Sequence, residues 1–395
     1  MNQKANYWLL PDGINEVLPE KAKQLEMLRR QLLDVFQSWG YELVMPPMIE
    51  YLESLLTGTG HDLDLKTFKL IDQLNGKTMG VRADMTPQVA RIDAHSLRRE
   101  EPTRLCYIGT VLHTRSEGLA SSRSPMQVGA ELFGHAGINS DIEVINLMIE
   151  TLSSAGIKGL HVDLGHVGIY RSLISRSSIS EAEETTLFDM LQRKSLPEIK
   201  TYFANLDIEP EMAASLTALA QLNGDLSVID TARDILGNED ETINNALNDI
   251  ECIANVISQQ NTDITINIDL SELRGYHYQT GMVFAAYVPG HGQELARGGR
   301  YDEIGKVFGR ARPATGFSTD LKVLAKLAVS TEAVTMSKIL APSINDESLQ
   351  RVVRELRAAG DIVIASLDES VTNAKQMGCD RVLQQQDKNW IVINR

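Results

Sequence analysis

The sequence predicts an α+β fold in which helices flank an antiparallel sheet. Strand-like and helical segments follow one another along the 395 residues with few βαβ alternations, which favours an antiparallel sheet. Apolar residues make up 43% of the chain, enough for a sizeable core and for two or three domains. Residues 170–260 have few strong turn pairs and are rich in Leu, Ala and Glu, so we interpret them as a helical insertion.

The N-terminal part is predicted to begin with a helix. Pro19 suits the first turn of this helix and Gly40 its C-terminal end. A short strand, YELVM, and the pair Pro46–Pro47 follow, and a β-rich segment over 61–95 leads towards a helix near ADMTPQVARIDAH. The apolar residues of the first helix recur every three or four positions, at Leu25, Leu28, Leu32, Phe36 and Trp39.

The central part is predicted to hold a hairpin and further strands. Strand-like runs over 104–112 and 125–133 frame a loop within GTVLHTRSEGLASSR (109–123), and a helix is predicted over 139–156. After the insertion, the alternating Ile264, Ile266 and Ile268 predict a strand. TGMVFAAYV is predicted to pair through PGHGQ with ELARGG.

The last part of the chain is predicted to be a separate, small α/β domain over 338–395. A linker is predicted over 326–337, which leaves 1–325 as the main domain. The small domain has the apolar run ILAP, a helix over 346–359 closed by Gly360, and the strands DIVIAS and WIVIN.

Composition limits the classes of function. The formal net charge of −15 opposes nonspecific nucleic-acid binding, which needs a positive surface. The three cysteines form no CxxC pair, so we expect a reduced, cytoplasmic location. The start MNQKANYWLLPDG lacks a signal peptide's apolar core, and no apolar run is long enough for a membrane helix.

Generic motifs for cofactors and metals are missing from the sequence. There is no GxxxxGK[ST], GxSxG, HExxH or EF-hand loop. His161 and His166 are five residues apart, which is not the spacing of metal ligands on a helix face. We therefore expect neither a metal nor a cofactor.

Four segments combine polar side chains with turn or strand patterns. RADMTPQVAR (82–91) is predicted to be extended, with Asp84 and Thr86 on one side. MQVGAELFG (126–134) is predicted to be a strand, whose alternation places Gln127 and Glu131 on one side. The other two are LRGYHYQTGMVF (273–284), in which Arg274 precedes Tyr276 and Tyr278, and GGRYDEIGKVFGRARPATGFSTDL (298–321), with a predicted PATGF turn before a helix.

These segments, in this order and spacing, resemble the catalytic domain of histidyl-tRNA synthetase, a class II aminoacyl-tRNA synthetase. The resemblance covers about residues 5 to 325 and extends weakly into the small C-terminal domain. It implies an antiparallel sheet of the class II type. It also implies that Pro47 lies at a dimer interface, and that Asp84, Thr86, Gln127, Glu131, Arg274 and Tyr278 surround an amino-acid pocket of the histidine type.

The chain departs from the synthetase pattern where ATP would bind. By register, His113 stands in place of the arginine that holds the α-phosphate. The acid–base pair that follows it falls on Thr114 and Arg115, a later arginine falls on Ser121, and the arginine of the third motif falls on Val323. Because phosphate binding uses permanently charged guanidinium groups, we expect amino-acid activation to be lost. His113 is then more simply a structural or interface residue than a catalytic base.

Within this superfamily, WLLPDGINEVLPEKA and RLCYIGTVLHTR are more similar to the regulatory subunits of ATP phosphoribosyltransferase. That resemblance implies a noncatalytic partner of the short-form catalytic subunit in the first step of histidine biosynthesis. It further implies a homodimer within a hetero-oligomer, possible feedback by histidine, and, with the C-terminal domain shortened to about 58 residues, no tRNA binding.

Several alternatives remain open at this point. A divergent synthetase or a free-standing histidine sensor would share the same fold. The polar residues of the pocket could bind an amino acid, or they could be a leftover network that only stabilises the sheet. Gln279 and His277 replace an aromatic and an acidic residue of the family, which weakens a histidine pocket.

Overall fold

A nine-stranded sheet forms the centre of the larger of two units into which the chain folds, Met1–Val329 and Ser330–Arg395. The computed structural model describes residues 8–56, 61–116, 122–237, 240–276, 278–328, 337–367 and 374–394. The sheet order is β1-β5-β6-β12-β11-β10-β7-β9-β8. Its strands are β1 (Glu42–Leu43), β5 (Thr103–Thr110), β6 (Met126–Phe133), β7 (His161–His166), β8 (Asn223–Gly224), β9 (Thr265–Asp269), β10 (Met282–Tyr287), β11 (Ala296–Arg300) and β12 (Ala314–Asp320).

Most neighbouring strands of this sheet are antiparallel, as the pattern of the sequence predicts. Only β1 with β5 and β7 with β9 run parallel. A separate three-stranded sheet, in the order β2-β4-β3, lies in the same unit. Its strands are β2 (Ile49–Tyr51), β3 (Phe68–Ile71) and β4 (Thr78–Val81).

One face of the large sheet is apolar and packs on helices. Alternate residues of β6, β10 and β12 on this face, such as Ala130, Phe284 and Phe317, are buried in the main core. The long helices α1 (Pro19–Ser38) and α5 (Ile138–Ser154) bury their apolar sides in the same core. Burial of this face leaves the opposite face of the sheet for other chemistry.

The helical insertion is present, between β7 and β9. A buried apolar face on each of its helices joins the main core, which explains why the periodicity of Leu and Ile is helical there. Its helices are α6 (Val167–Arg176), α7 (Glu181–Gln192), α8 (Leu196–Phe203), α9 (Pro210–Leu219), α10 (Val228–Leu236) and α11 (Glu241–Gln260). The remaining helices of this unit are α2 (Leu52–Leu56), α3 (His61–Lys66), α4 (Thr86–Arg91) and α12 (Leu321–Leu327).

The smaller unit is an α/β structure with a four-stranded sheet of order β14-β13-β15-β16. Its one α-helix among the described residues begins after Asp346, whose carboxylate accepts the backbone N–H groups of Ser348 and Leu349. Its elements are β13 (Lys338–Ala341), α13 (Glu347–Ala358), β14 (Ile362–Ala365), β15 (Arg381–Gln386) and β16 (Asn389–Asn394).

Two local predictions are wrong. Residues 82–91 are not extended throughout, because Thr86 begins α4 and its backbone N–H binds the Asp84 carboxylate at 3.0 Å. PATGF is not a turn before a helix, since β12 begins at Ala314 and pairs on both sides. Helix α12 overlaps the first two residues of the predicted linker 326–337, and residues 329–336 lie outside the described residues.

Candidate functional site

The face of the large sheet opposite the main core carries glycines and polar side chains, and we call it the polar face. Glu131 on β6, Gly316 on β12, Gly299 on β11 and Val283 on β10 lie directly opposite one another in successive strands. A Cβ on Gly316 would lie 1.6 Å from Glu131 Oε2, so the carboxyl group rests on this glycine. The glycines therefore make a flat floor under the side chains that reach across it.

The Glu131 carboxylate is the buried centre of this floor. The hydroxyl groups of Thr86 and Tyr107 donate to Oε1 at 3.0 and 2.8 Å, and the Tyr301 hydroxyl donates to Oε2. Glu131 is only 1% exposed, and this burial raises the pKa of its carboxyl group to about 8. The group is therefore mostly protonated at neutral pH, while its three hydroxyl donors oppose that shift.

Asp84 and Gln127 extend the network towards the end of β6. The Gln127 amide donates to the Asp84 carboxylate at 2.7 Å, and its Oε1 accepts the backbone N–H of Met85 at 2.9 Å. Asp84 also accepts the backbone N–H of Thr86, which links the loop before α4 to the strand. Four predicted residues, Asp84, Thr86, Gln127 and Glu131, thus form one hydrogen-bonded group.

Arg274 and Gln279, from the predicted arginine segment, also reach the polar face. Arg274 donates to the Tyr287 hydroxyl at 2.9 Å and to Glu294 at 2.8 Å. Within the described residues, its guanidinium makes no hydrogen bond to the Glu131 network. Tyr278 is exposed. Gln279 is 6% exposed, and its amide lies 2.8 Å from where a Cβ on Gly299 would be.

Tyr276 anchors this part of the chain to the helical insertion. Tyr276 donates its hydroxyl to Glu184 on α7 at 2.8 Å, and its ring lies under the Arg171 guanidinium, 5.0 Å from ring centre to carbon. The ring also packs edge-on against the buried Tyr170. The insertion and the polar face are therefore in direct contact through one loop. His277 lies outside the described residues.

The other end of the polar face lies beside the hairpin loop, and its polar groups bind main-chain atoms. The His113 side chain donates from Nε2 to the Ala83 carbonyl at 2.9 Å. Lys322 binds the Ser124 carbonyl and, at 3.3 Å, the Ser124 hydroxyl. Val323 packs against the main core rather than into the site.

Two further positions of the predicted ATP site are Arg115 and Ser121. Arg115 is exposed. Ser121 lies outside the described residues. The described part of the loop thus presents no arginine in the place that His113 fills.

A segment near the N-terminus is tied to the same loop through Arg123. The Arg123 guanidinium donates to the carbonyls of His113 and Asp12, both at 3.0 Å, and lies 5.4 Å from the ring centre of Phe68. Its backbone N–H donates to the Gly13 carbonyl at 2.9 Å. This end of the site is therefore held by several main-chain hydrogen bonds.

Sequence reasoning missed several residues of the site. Tyr107 and Tyr301 donate to Glu131, yet Tyr107 reads in the sequence as an ordinary strand residue. Strand alternation places Tyr107 on the same face as Leu105, opposite Gly129, and this register was the available signal. The third, Glu294, lies in a loop where periodicity gives no signal.

Two further observations concern metals and membranes. Among the described residues, no group of three or more His, Cys, Asp or Glu side chains is arranged to hold a metal ion. In the same part of the chain, no helix combines the length and apolar character that crossing a membrane requires.

Profiles of two protein families match the chain. The family described as histidyl-tRNA synthetase matches residues 13–324, and the C-terminal domain of ATP phosphoribosyltransferase subunit HisZ matches residues 336–393. An ATP phosphoribosyltransferase regulatory subunit from Thioalkalivibrio sulfidiphilus is 59% identical over 391 residues, which is 99% of each chain. The corresponding protein of Alkalilimnicola ehrlichii is 54% identical over 390 residues, 98% of this chain and 97% of the relative.

Solved structures share the fold. An ATP phosphoribosyltransferase regulatory subunit/histidyl-tRNA synthetase from Bacillus halodurans superposes with a TM-score of 0.83 at 29% identity, over 94% of this chain and 96% of that one. The histidyl-tRNA synthetase of Nostoc gives 0.77 at 18% identity, over 98% and 97% of the two chains. A chain of the ATP phosphoribosyl transferase (HisG:HisZ) complex of Thermotoga maritima gives 0.57 at 17%, over 74% and 96%. The predicted class II synthetase-like α+β fold is confirmed.

Proposed function

The chain belongs to the family of ATP phosphoribosyltransferase regulatory subunits, and from that premise we propose how its polar face and its surfaces serve the enzyme complex. It is a noncatalytic subunit that works with the catalytic subunit in histidine biosynthesis, as the sequence predicts. The alternatives, a divergent synthetase and a free-standing sensor, are not supported by its full-length relatives.

The observation that carries this function is the contrast within the polar face. The side chains that could hold an amino acid form a connected network around Glu131, whereas His113 and Lys322 bind main-chain carbonyls where phosphate would bind. A guanidinium clamp on phosphate is a strong contributor to nucleotide activation. A site that keeps the amino-acid network but lacks the phosphate-binding arginines suits a sensor subunit rather than an activating enzyme.

We infer that this subunit acts on its catalytic partner allosterically. Contact with this chain would favour the active state of the catalytic subunit, which requires that the two states of the partner make different contacts with it. Histidine bound at the Glu131 network would alter those contacts. The Tyr276 loop offers a route, because it connects the polar face to α7 of the helical insertion.

Reconstitution tests the regulatory function directly. The chain is mixed with a short-form catalytic subunit, and formation of phosphoribosyl-ATP is measured with and without it. We expect a clear stimulation; a catalytic subunit that neither binds nor responds would contradict the proposal. Histidine-dependent exchange between ATP and pyrophosphate should be absent, with an active histidyl-tRNA synthetase as the positive control.

Binding of histidine at the network is a separate step with its own test. Calorimetry compares wild type with Glu131→Ala, in which the buried acceptor of three hydroxyl groups is lost. We expect heat of binding for wild type and little for the variant. Absence of heat with wild type would make the network a purely structural feature.

We further propose a homodimer formed through the segment around Pro47. Pro47 is exposed, and large apolar side chains near it are exposed as well, at Leu43, Met45, Met48, Ile49 and Tyr51. Met45 is 75% exposed, and β1 lies at an edge of the large sheet. A cluster of exposed apolar side chains is typical of an interface. Met45→Glu should shift the mass measured by light scattering from dimer towards monomer, whereas an unchanged dimer would place the interface elsewhere.

The remaining partner predictions concern what the chain does not bind. The net charge of −15 disfavours a tRNA partner, and we propose that the chain binds none. We also propose a cytoplasmic location, because the three cysteines form no CxxC pair and because the family works in biosynthesis. Gel-shift titration with histidine tRNA, against a true synthetase as control, would test the first point.

A further inference from the structure

Helix α9 of the helical insertion is apolar on every side, yet only part of it is covered. After Glu211, its sequence PEMAASLTAL has one serine and one threonine as its only polar residues. Leu216 and Leu219 are buried where α9 packs against α6, α8 and α10. A helix that is apolar all round is normally buried all round. The outward side of α9, which includes the exposed Ala214, therefore has the character of a surface that another molecule covers.

A groove of about 380 Å³ lies on this outward side, between α8 and α9. Phe203 of α8 lines it together with four small residues of α9, which are Ala213, Ala214, Thr217 and Ala218. Because these four occur at i, i+1, i+4 and i+5, they form one continuous strip along the helix. Small side chains let a second helix approach closely, and helices commonly bind peptides in this manner. The groove thus suits a helix of a partner protein.

The border of the groove is acidic. Three exposed carboxylates belong to the segment that connects its two sides, at Asp207, Glu209 and Glu211. Among the described residues that line the groove, Lys200 is the one that is basic. A partner helix with lysine or arginine beside its apolar face would therefore match this border.

The charge of the whole insertion decides between two kinds of partner. Residues 167–260 hold 16 Asp and Glu but 6 Lys and Arg, which gives a formal net charge of −10, out of −15 for the chain. In a two-fold dimer, a second copy of the chain would place its own acidic insertion against this one. Like charges facing each other disfavour such a contact, so the groove suits a different protein.

Hydrogen bonds connect the groove to the polar face. Tyr202, beside Phe203 on α8, donates its hydroxyl to the Glu183 carbonyl of α7 at 3.1 Å. The next residue, Glu184, accepts the hydroxyl of Tyr276 at 2.8 Å. A partner helix in contact with Phe203 would therefore touch α8 next to its bond with the turn of α7 that holds the Tyr276 loop.

We propose that the groove between α8 and α9 is the docking surface for the catalytic subunit, and that the docked element is an amphipathic helix with basic residues beside its apolar face. The apolar face covers the strip of small residues on α9, and the basic residues pair with Asp207, Glu209 and Glu211. This assignment rests on the proposed stimulation of the catalytic subunit, for which it names the surface.

The test compares substitutions of an exposed alanine in the groove and outside it. Calorimetry measures binding to a short-form catalytic subunit, and formation of phosphoribosyl-ATP measures stimulation. The proteins are wild type, Ala214→Arg, Ala214→Glu and Ala358→Arg. Ala358 is the matched control, an exposed alanine on α13 of the smaller unit. Gln221→Arg, at another exposed residue of the lining, is a second variant of the groove, and urea unfolding checks that each protein is folded.

We expect Ala214→Arg to weaken binding of the catalytic subunit by roughly 10- to 100-fold, because it adds bulk and a charge of the partner's sign at the centre of the contact. Ala214→Glu should weaken binding less, Gln221→Arg should act in the same direction as Ala214→Arg, and Ala358→Arg should behave as wild type. Added salt should weaken binding of wild type, since it screens the exposed charges.

Full binding by both Ala214→Arg and Gln221→Arg would overturn the groove as the docking surface while the regulatory function stood. Equal losses in Ala214→Arg and Ala358→Arg would overturn it as well. A change in the mass of the isolated chain in Ala214→Arg, without a change in its binding to the catalytic subunit, would assign the groove to a second copy instead. If wild type neither bound nor stimulated the catalytic subunit, the proposed function itself would be overturned.

Discussion

The two ends of the polar face share one sheet yet satisfy their polar groups in opposite ways. Around Glu131, side chains bind side chains: three hydroxyl groups meet one carboxyl group. Beside the hairpin loop, His113 and Lys322 donate to main-chain carbonyls. Side-chain networks can exchange partners with a ligand, whereas a donor committed to the backbone holds two chain segments together. In our proposal, the first end serves recognition of a ligand and the second holds the structure together.

The largest expected difference between the two ends is a dependence on pH. Burial holds the pKa of Glu131 near 8, against an ordinary value of 4.5, so the folded chain binds the proton more tightly than the unfolded chain between these pH values. The contribution of Glu131 to stability is therefore complete below about pH 4.5 and is lost as pH rises towards 8. Relative to Glu131→Gln, which keeps the shape but cannot ionise, wild type should lose up to about 1.4 kcal/mol per pH unit in this window.

Urea unfolding of both proteins at pH 5, 7 and 9 measures this. The free energy of unfolding of the variant should exceed that of wild type by the largest amount at pH 9. If the free energy of unfolding changed equally with pH in both proteins, Glu131 would have an ordinary pKa. The two ends would then not differ in this electrostatic respect.

A second prediction concerns the glycine floor. Gly316→Ala places a Cβ 1.6 Å from Glu131 Oε2 and 2.7 Å from the Ala130 carbonyl, so the carboxyl group must leave its hydroxyl partners. We expect a loss of about 3 kcal/mol in the free energy of unfolding and loss of histidine binding. Gly292→Ala is the control, because a Cβ there has no atom within 4 Å. Full histidine affinity in Gly316→Ala would place the ligand elsewhere.

A smaller effect is expected at the hairpin end. Lys322→Met removes a charged donor from the buried Ser124 carbonyl, which should lower the free energy of unfolding by about 2 kcal/mol. Histidine affinity should not change, because Lys322 is outside the Glu131 network. The measurement pairs urea unfolding with calorimetry. A loss of affinity comparable with that of Glu131→Ala would show that the two ends are not independent.

The smallest effect is expected for His113. His113→Ala removes one hydrogen bond to the Ala83 carbonyl, so we expect about 1 kcal/mol in stability and normal stimulation of the catalytic subunit. His113→Arg should not generate exchange between ATP and pyrophosphate, since Val323 remains in the core and Lys322 stays on Ser124. Loss of stimulation in His113→Ala would give the loop a functional role.

Much of the fold could be predicted because its signals are local. The periodicity of Leu28, Leu32 and Phe36 gives α1, and strand alternation puts Gln127 and Glu131 on one face. The Asp84–Thr86 segment was misjudged, because a short Asp side chain can cap a helix and so competes with extended backbone. PATGF was misjudged because pairing with strands distant in sequence overrides local turn preference.

The contents of the site were predicted less completely than the fold. The family resemblance supplied the residues around Glu131, but it could not show that Arg274 is held by Glu294 or that Tyr301 donates to Glu131. Those contacts join positions far apart in the sequence, and no local pattern marks them.

The main-chain hydrogen bonds at the hairpin end limit what a single substitution can change. The Arg123 guanidinium donates to the carbonyls of Asp12 and His113, and its backbone N–H donates to the Gly13 carbonyl. The last of these bonds needs no particular side chain. A single codon change can return an arginine to position 113, but it does not erase carbonyl groups or release the segments they hold. Amino-acid activation would therefore need several mutations together, because Lys322 is bound to Ser124 and Val323 packs against the core. The main chain of the loop therefore restricts which functions a single substitution can add at this end of the sheet.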